Sequence, residues 1–236
     1  MVHHNAAGHH AQGRTDVTIT QKTLFRAAGA AAAVAGLIFI GVQINHPSLD
    51  AASITTTDVM TRNWLKMLMA ALALAGITGM YLHQVTKTGA LGLLGFVVFA
   101  AGYLSMFGTE FVAALVLPAI AHSSTAYVND VIAMANNRPH TGDIGRMQIA
   151  ILFTGITYVG GGFVFGLALF RARVLARWAA ALLAVGTLAT AAAGIVPTYE
   201  RLFAIPTAVA LVGLGCSLWR EQRTPAAAPI VNAVNA

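Results

Sequence analysis

Six long apolar stretches dominate this sequence, and each one is close to the length that a membrane crossing requires. A hydrocarbon core of roughly 30 Å takes about 20 apolar residues in a helix. The stretches cover residues 27–44, 65–82, 90–121, 147–170, 174–197 and 202–219. Membrane strands alternate apolar and polar residues with a period of two, and these continuous runs do not. The sequence therefore predicts an all-α, polytopic membrane protein whose fold is a bundle of six transmembrane helices.

The composition excludes the main soluble alternatives. Hydrophobic residues make up 57% of the 236 residues and charged residues only 9%, against roughly 25% charged residues in an average globular domain. Too few polar groups remain to cover a water-facing surface, which excludes a soluble enzyme and a disordered regulator. The formal net charge is +6, but the basic residues lie at the ends of the apolar runs, so we expect no nucleic-acid partner.

The distribution of basic residues predicts the orientation of the bundle. If the N-terminus lies inside, nine Lys and Arg side chains fall near the inner ends of the helices and five near the outer ends. This excess predicts that both termini are cytoplasmic. Abundant Ala, with eleven Arg against three Lys, indicates a bacterial genome rich in G and C. We therefore expect a multi-pass protein of the bacterial plasma membrane.

The segments outside the apolar runs divide the chain into a membrane domain, two tails and a cap. Residues 1–22 contain four histidines and are expected to form a disordered, His-rich cytoplasmic tail. Residues 23–223 form the membrane domain, and residues 224–236 a flexible C-terminal tail. The outer loops 46–62 and 122–146 are longer than a connection requires, which predicts a small extracytoplasmic cap. Apolar spacing in the second loop predicts a short helix with a Ser or Thr N-cap.

Glu110 is the most informative polar residue, because it lies inside an apolar run. A carboxylate within a membrane is costly unless it is paired, protonated or hydrated, so Glu110 is a candidate for ligand binding or proton transfer. The alternative is a position at the membrane interface, where water solvates the carboxylate. Tyr103 lies seven residues earlier on the same helical face. Four further residues reach the same outer level, and we expect them to line one cleft with Glu110: Gln43, His46, Glu200 and Arg201.

A metal site at this outer level is a weaker hypothesis. His46, Glu110, His122 and His140 carry side chains that bind Zn²⁺ in proteins. No recognised spacing such as H-E-x-x-H joins them, so the rival interpretation is simple solvation at the interface. The sequence identifies no cofactor.

Small and basic residues indicate contacts between helices and with lipids. Gly155, Gly162 and Gly166 lie in the fourth run, where glycine favours close helix packing. Arg171, Arg173 and Arg177 crowd the short inner turn after that run. Basic side chains at this position are typical of contacts with anionic lipid headgroups.

Three functions are compatible with these features of the sequence. The favoured hypothesis is a non-enzymatic protein that binds a ligand or serves as an accessory subunit of a membrane assembly. Besides the lipid bilayer, its partner is then another membrane protein, a second copy of the chain or a lipidic small molecule. The second hypothesis is a small proton-coupled transporter that uses Glu110, and the third is a metal-dependent membrane enzyme with an outward-facing site. No catalytic residue is identified, and the missing catalytic motifs favour a non-enzymatic role.

Overall fold

A computed structural model describes residues 19–191 and 201–223 as helices joined by short turns, with no strand in these two ranges. The α-helices are α1 (Gln21–Gln43), α2 (Thr57–His83), α3 (Val85–Phe111), α4 (Leu117–Ile120), α5 (Thr125–Ala135), α6 (Arg146–Ala172), α7 (Arg177–Ala191) and α8 (Ile205–Glu221). A π-helical turn, Val112–Val116, joins α3 directly to α4. Short 3₁₀ turns lie at Ser53–Thr55 and Leu202–Ala204. The prediction of an all-α fold is confirmed.

Within residues 19–191 and 201–223, five helical segments are long and apolar enough to cross a membrane, as in a multi-pass membrane protein. These segments are Gln21–Gln43, Thr57–His83, Val85–Ile120, Arg146–Ala172 and Leu202–Glu221. The predicted run 174–197 is described only in part, because α7 covers 15 residues and residues 192–200 lie outside the described ranges. Nearly all of the predicted tail 1–22 and the whole of the tail 224–236 also lie outside them.

Within the described residues, the five long helical segments and the shorter α7 pack as a ring that follows the order of the chain. Helix α1 contacts α2, α2 contacts α3, α3 contacts α6, α6 contacts α7, α7 contacts α8, and α8 returns to α1. Lipid tails are as apolar as the helices, so van der Waals packing of small residues holds such a ring together. A Cβ atom on Gly161 of α6 would collide with the backbone of Phe99 on α3. These two helices therefore depend on glycine for their close approach.

The segments 46–62 and 122–146 fold together as a cap at one end of the ring. The cap has a small hydrophobic core of its own, which includes Ile54 from the first segment and Val128 from the second. Leu117 of α4 belongs to the same core. The helix that runs from α3 through the π turn into α4 is thus shared between the bundle and the cap.

Hydrogen bonds tie the two cap segments to each other. The backbone N–H of Ala51 donates to Oδ1 of Asn129 at 2.8 Å. The short helix predicted in the second segment is α5, and its N-cap residue is Ser124. The predicted Ser or Thr N-cap is therefore confirmed, although the side chain of Ser124 makes no capping hydrogen bond in the described part of the chain. The adjacent Thr125 instead donates its hydroxyl to a carbonyl of the preceding turn at 2.8 Å.

Candidate ligand-binding site

A charged pair joins α2 to α3 at the cap end of the ring. Lys66 of α2 faces Glu110 in the last turn of α3, with Nζ 3.6 Å from Oε1. Each side chain is 20% exposed. Partial burial strengthens the Coulomb attraction between two charges, but it also removes part of their hydration. The structure thus gives Glu110 a cationic partner on a neighbouring helix.

The π-helical turn between α3 and α4 begins two residues after Glu110. One of its carbonyl groups accepts a hydrogen bond from a side chain on another helix. The N–H of Leu117 donates to the carbonyl of Val112, five residues back. The next residue is Pro118, which has no N–H to donate to Ala113 in the same register. Nδ2 of Asn63 on α2 donates to that carbonyl at 3.1 Å. Asn63 is 3% exposed, so its amide replaces the missing donor where water has little access.

Two adjoining cavities meet at the charged pair. Their volumes are about 300 Å³ and about 230 Å³. Together they fall within the range of roughly 300–1,000 Å³ that is typical of small-molecule sites. The residues that line both cavities are Lys66, Met106, Glu110, Ala135, Asn136 and Asn137.

The larger of the two, termed the first cavity, is lined mainly by apolar side chains. The cap contributes Leu49 and Ile132, and the helices below contribute Leu117 and Ile151. Gly155 of α6 also lines this cavity. Within the described residues, a Cβ atom on Gly155 would have no neighbour within 4 Å. This predicted packing glycine therefore faces open space at the cavity.

The smaller of the two, termed the second cavity, is more polar. Gln43, His46 and Arg201 line it together with the charged pair. Three residues that the sequence predicts to share a cleft with Glu110 thus lie around the same space. Among the described lining residues, two are basic side chains, Lys66 and Arg201, and one is a carboxylate.

His46 adds no positive charge to the second cavity at neutral pH. Burial of the ring, followed by the charges of Lys66 and Arg201, lowers the pKa of His46 from 6.5 to about 4. Nδ1 lies 2.9 Å from the carbonyl oxygen of Pro47. A neutral imidazole next to a carbonyl donates from that nitrogen, which leaves Nε2 as an acceptor.

Two of the predicted cleft residues are not placed in either cavity. Tyr103 is fully buried, at 0% exposure, and packs against the rings of Phe99 and Tyr158 in the core of the bundle. At its height along α3, Tyr103 therefore contacts α6 and not the charged pair. Glu200 lies in the range 192–200, outside the described residues.

The residues proposed for a metal site do not gather around one point. His46 and Glu110 both line the second cavity, whereas His122 and His140 line neither of the two cavities in the described structure. No group of three or more His, Cys, Asp or Glu side chains that could hold a metal ion occurs among the described residues. The geometry gives the metal hypothesis no support there.

The two other glycines of the fourth run lie against α7. A Cβ atom on Gly166 would lie 2.6 Å from the backbone nitrogen of Ala184, and one on Gly162 would collide with the side chain of Thr187. Both positions therefore lie at the contact between α6 and α7.

The three arginines expected at lipid headgroups lie at the turn between α6 and α7, at the end opposite the cap. Arg171, Arg173 and Arg177 lie in or beside this turn, and all three are exposed. Arg173 ends α6 in the left-handed conformation, at φ +56°. The guanidinium of Arg177 lies 4.3 Å from the ring centroid of Phe170, a cation–π contact.

Lys66 and Asn63 were not identified from the sequence as parts of a site. Their spacing of three residues places both on one face of α2, and their position at the start of an apolar run is the signal that could have found them. Asn136 and Asn137 line both cavities. From the sequence they were predicted only to end a short helix. Their position over the charged pair depends on how the cap folds back.

Together, the fold and the site define a multi-pass helical membrane protein with a capped, two-part cavity that is apolar on one side and charged on the other. Comparison of the chain with known protein families, with curated proteins and with solved structures gave no match.

Proposed function

We propose that the chain is a non-enzymatic integral membrane protein that binds one small amphipathic molecule in the two adjoining cavities beneath the cap. The observation that carries this proposal is the position of the Lys66–Glu110 pair where an apolar cavity meets a polar one. Ligand sites in proteins are mostly apolar with a few polar groups that fix orientation. An apolar tail in the first cavity and a polar head in the second match this division.

The proposal also includes the membrane, the orientation and the assembly of the protein. The excess of basic residues at the end opposite the cap favours a cap outside a bacterial plasma membrane and cytoplasmic termini. In this arrangement the protein captures its ligand at the outer face. It then acts alone, as a homo-oligomer or as an accessory subunit of a membrane assembly.

A matched pair of glycine variants tests the binding proposal. Gly155 and Gly160 both lie on α6, both are exposed, and a Cβ on either would meet no described atom within 4 Å. Only Gly155 lines the first cavity. Gly155→Leu should therefore fill the cavity without disturbing the helix packing, and Gly160→Leu is its control.

The assay is photolabelling of the full chain in phosphatidylcholine nanodiscs with decanol that carries a diazirine on its chain. We expect labelled peptides to contain Met106 or Met134, which line the first cavity from the bundle and the cap. Gly155→Leu should reduce this labelling several-fold and Gly160→Leu should not. Labelling that is spread evenly along the lipid-facing helices, or that is equal in both variants, would contradict the proposal.

The π turn beside Glu110 favours the proton-coupled transporter as a second candidate. π turns are frequent at functional sites, and a partly buried carboxylate next to one is a suitable proton carrier. If the protein is such a transporter, Glu110→Gln should abolish proton-driven uptake of the ligand into vesicles that contain the protein. Binding of the ligand should persist. Uptake at the wild-type rate in Glu110→Gln would exclude it.

A further inference from the structure

We infer that the π turn Val112–Val116 is a hinge for the cap, which opens to admit the ligand when the turn converts to an α-helix. The inference rests on the proposed function, because it describes how the ligand of that same site enters and leaves. It follows from the register of the turn, from the attachment of the cap beyond it and from the side chains that hold the turn in place.

The π turn contains one residue more than an α-helix would need. The N–H of Leu117 donates to the carbonyl of Val112, five residues back, whereas an α-helix bonds to the residue four back. If Leu117 donates instead to Ala113, the register of the helix beyond the turn shifts by one residue. One residue of an α-helix corresponds to a rotation of about 100°. Conversion of the turn therefore rotates the segment that follows it by more than a quarter of a circle.

The cap is attached to the helix immediately beyond this turn. Leu117 and Ala121 are 3% and 2% exposed and belong to the cap core, together with Ile54 and Val128. Leu117 also lines the first cavity. A rotation of the segment would withdraw both side chains from the cap core and displace one wall of the cavity. The α-helical state of the turn is therefore the open state, and the π-helical state is the closed one.

Two side chains hold the turn in its π-helical state. Nδ2 of Asn63 donates to the carbonyl of Ala113 at 3.1 Å, and in an α-helix the N–H of Leu117 would take that place. Pro118 disfavours the α-helical state, because its ring would collide with the carbonyl of Ala114, four residues back. One side-chain hydrogen bond and one proline ring thus oppose an ordinary backbone hydrogen bond. A balance between so few interactions makes both states accessible, as a hinge requires.

The wall of the first cavity connects the ligand to this hinge. Asn63 and Ala113 line that cavity from the helices, and Met134 lines it from the cap. A ligand in the closed cavity contacts the turn and the cap at the same time. Because these contacts exist only while the cap is closed, the ligand stabilises the π-helical state and is retained by it.

A substitution and a deletion test the hinge. Pro118→Ala removes the ring that opposes the α-helical state, and Pro118 lines neither cavity in the described structure. Deletion of Val116 removes the additional residue of the turn. Leu117 then keeps its hydrogen bond to Val112, which becomes an ordinary α-helical bond, and α4 keeps its present orientation. Pro206→Ala is the matched control, because Pro206 lies in the first turn of α8, where a missing N–H has little effect.

The assay is hydrogen–deuterium exchange of the full chain in phosphatidylcholine nanodiscs, measured by mass spectrometry on peptides from the cap segments 46–62 and 122–146. We expect Pro118→Ala to speed exchange of the cap amides about tenfold or more, since a proline ring disfavours an α-helix by a larger factor. Adding the deletion of Val116 should return exchange to the wild-type rate or below it, whereas general destabilisation by two changes would speed exchange further. Pro206→Ala should leave the rate unchanged. Saturating decanol should slow exchange of the wild-type cap several-fold.

The outcomes distinguish the hinge from the proposed function. Equal exchange in the wild type and in Pro118→Ala would refute the hinge, and so would faster exchange after the deletion of Val116 is added. In both cases photolabelling of the first cavity would still support ligand binding. If the variants behave as expected but decanol neither labels the cavity nor slows exchange, the proposed function is wrong, and the admission of a ligand with it.

Discussion

The hydrogen bond between Asn63 and the π turn allows a quantitative prediction. Asn63→Leu keeps a similar side-chain size but removes the amide that donates to the carbonyl of Ala113 at 3.1 Å. Because Asn63 is 3% exposed, water cannot easily replace the lost donor. That carbonyl is only partly buried, so the loss of its partner costs about 1–2 kcal/mol, less than for a fully buried group. We expect the free energy of unfolding of Asn63→Leu to fall by that amount.

A second substitution should cancel most of this loss. Pro118→Ala restores an N–H at the position that reaches Ala113 in the π register. If the turn instead relaxes to α-helix, Ala113 gains the ordinary donor of residue 117. In either case the carbonyl has a partner inside its own helix. Asn63→Leu should therefore cost less than about 1 kcal/mol in the Pro118→Ala background, which gives a coupling energy of about 1 kcal/mol.

The assay is equilibrium unfolding of the purified chain in mixed micelles with increasing SDS, followed by tryptophan fluorescence. Trp64 is the neighbour of Asn63 and reports on this region. Asn129→Leu is the control, because Asn129 bonds to Ala51 within the cap and not to the π turn. Its cost should be the same with and without Pro118→Ala. An equal cost of Asn63→Leu in both backgrounds would refute the assignment of Asn63 as the replacement donor.

Three further predictions concern pH, packing and the charged pair. The unfolded state binds a proton at His46 between pH 6.5 and about 4 and the folded state does not. The ring of His46 is only partly buried, which screens the effect, so thermal stability should fall by about 1–2 kcal/mol as pH decreases through this window, and His46→Gln should remove that component. Gly161→Leu should cost about 2 kcal/mol or more by forcing α3 and α6 apart, whereas Gly160→Leu should leave the unfolding midpoint in SDS unchanged or raised. Replacing Lys66 by Met and Glu110 by Leu together should leave stability unchanged or higher, as judged by the same midpoint, because a partly buried ion pair contributes little net stability. A large loss in the double variant would show that the pair is structural.

The bundle was predictable because its signal is local in the sequence. Each apolar run is long enough to define a helix without reference to any other, and the extra length of the loops 46–62 and 122–146 indicated a cap. Apolar residues spaced along the second loop predicted α5 for the same reason. The N-cap of α5 was predicted as a Ser or Thr and is Ser124, but the hydrogen bonds of Ser124 and Thr125 were not predictable, because only the folded backbone decides which carbonyl or amide each hydroxyl can reach.

The site was less predictable because its contacts join separate helices. Glu110 stands out in the sequence as a carboxylate in an apolar run, but its pairing with Lys66 depends on the rotation of α2 about its own axis. Tyr103 shares a helical face with Glu110 by its spacing, yet it lies against α6 in the core. Seven residues of a helix span about 10 Å along its axis. Tyr103 and Glu110 therefore contact different neighbours although they lie on one face. The role of Asn63 follows only after the π turn is known, since Pro118 alone also predicts an ordinary kink.

The polar features of this end of the bundle are better explained by binding than by stability. A ring of helices gains nothing from a partly buried Lys66–Glu110 pair that Met and Leu would not provide, and a π turn adds a carbonyl that needs Asn63 to satisfy it. Both features lie on the cavity walls, and Glu110 and Ala113 belong to the helix that is shared with the cap. A ligand that contacts the pair would touch the bundle and the cap at once. Binding would then hold the two parts together, so occupancy of the cavities and the stability of the cap should rise together.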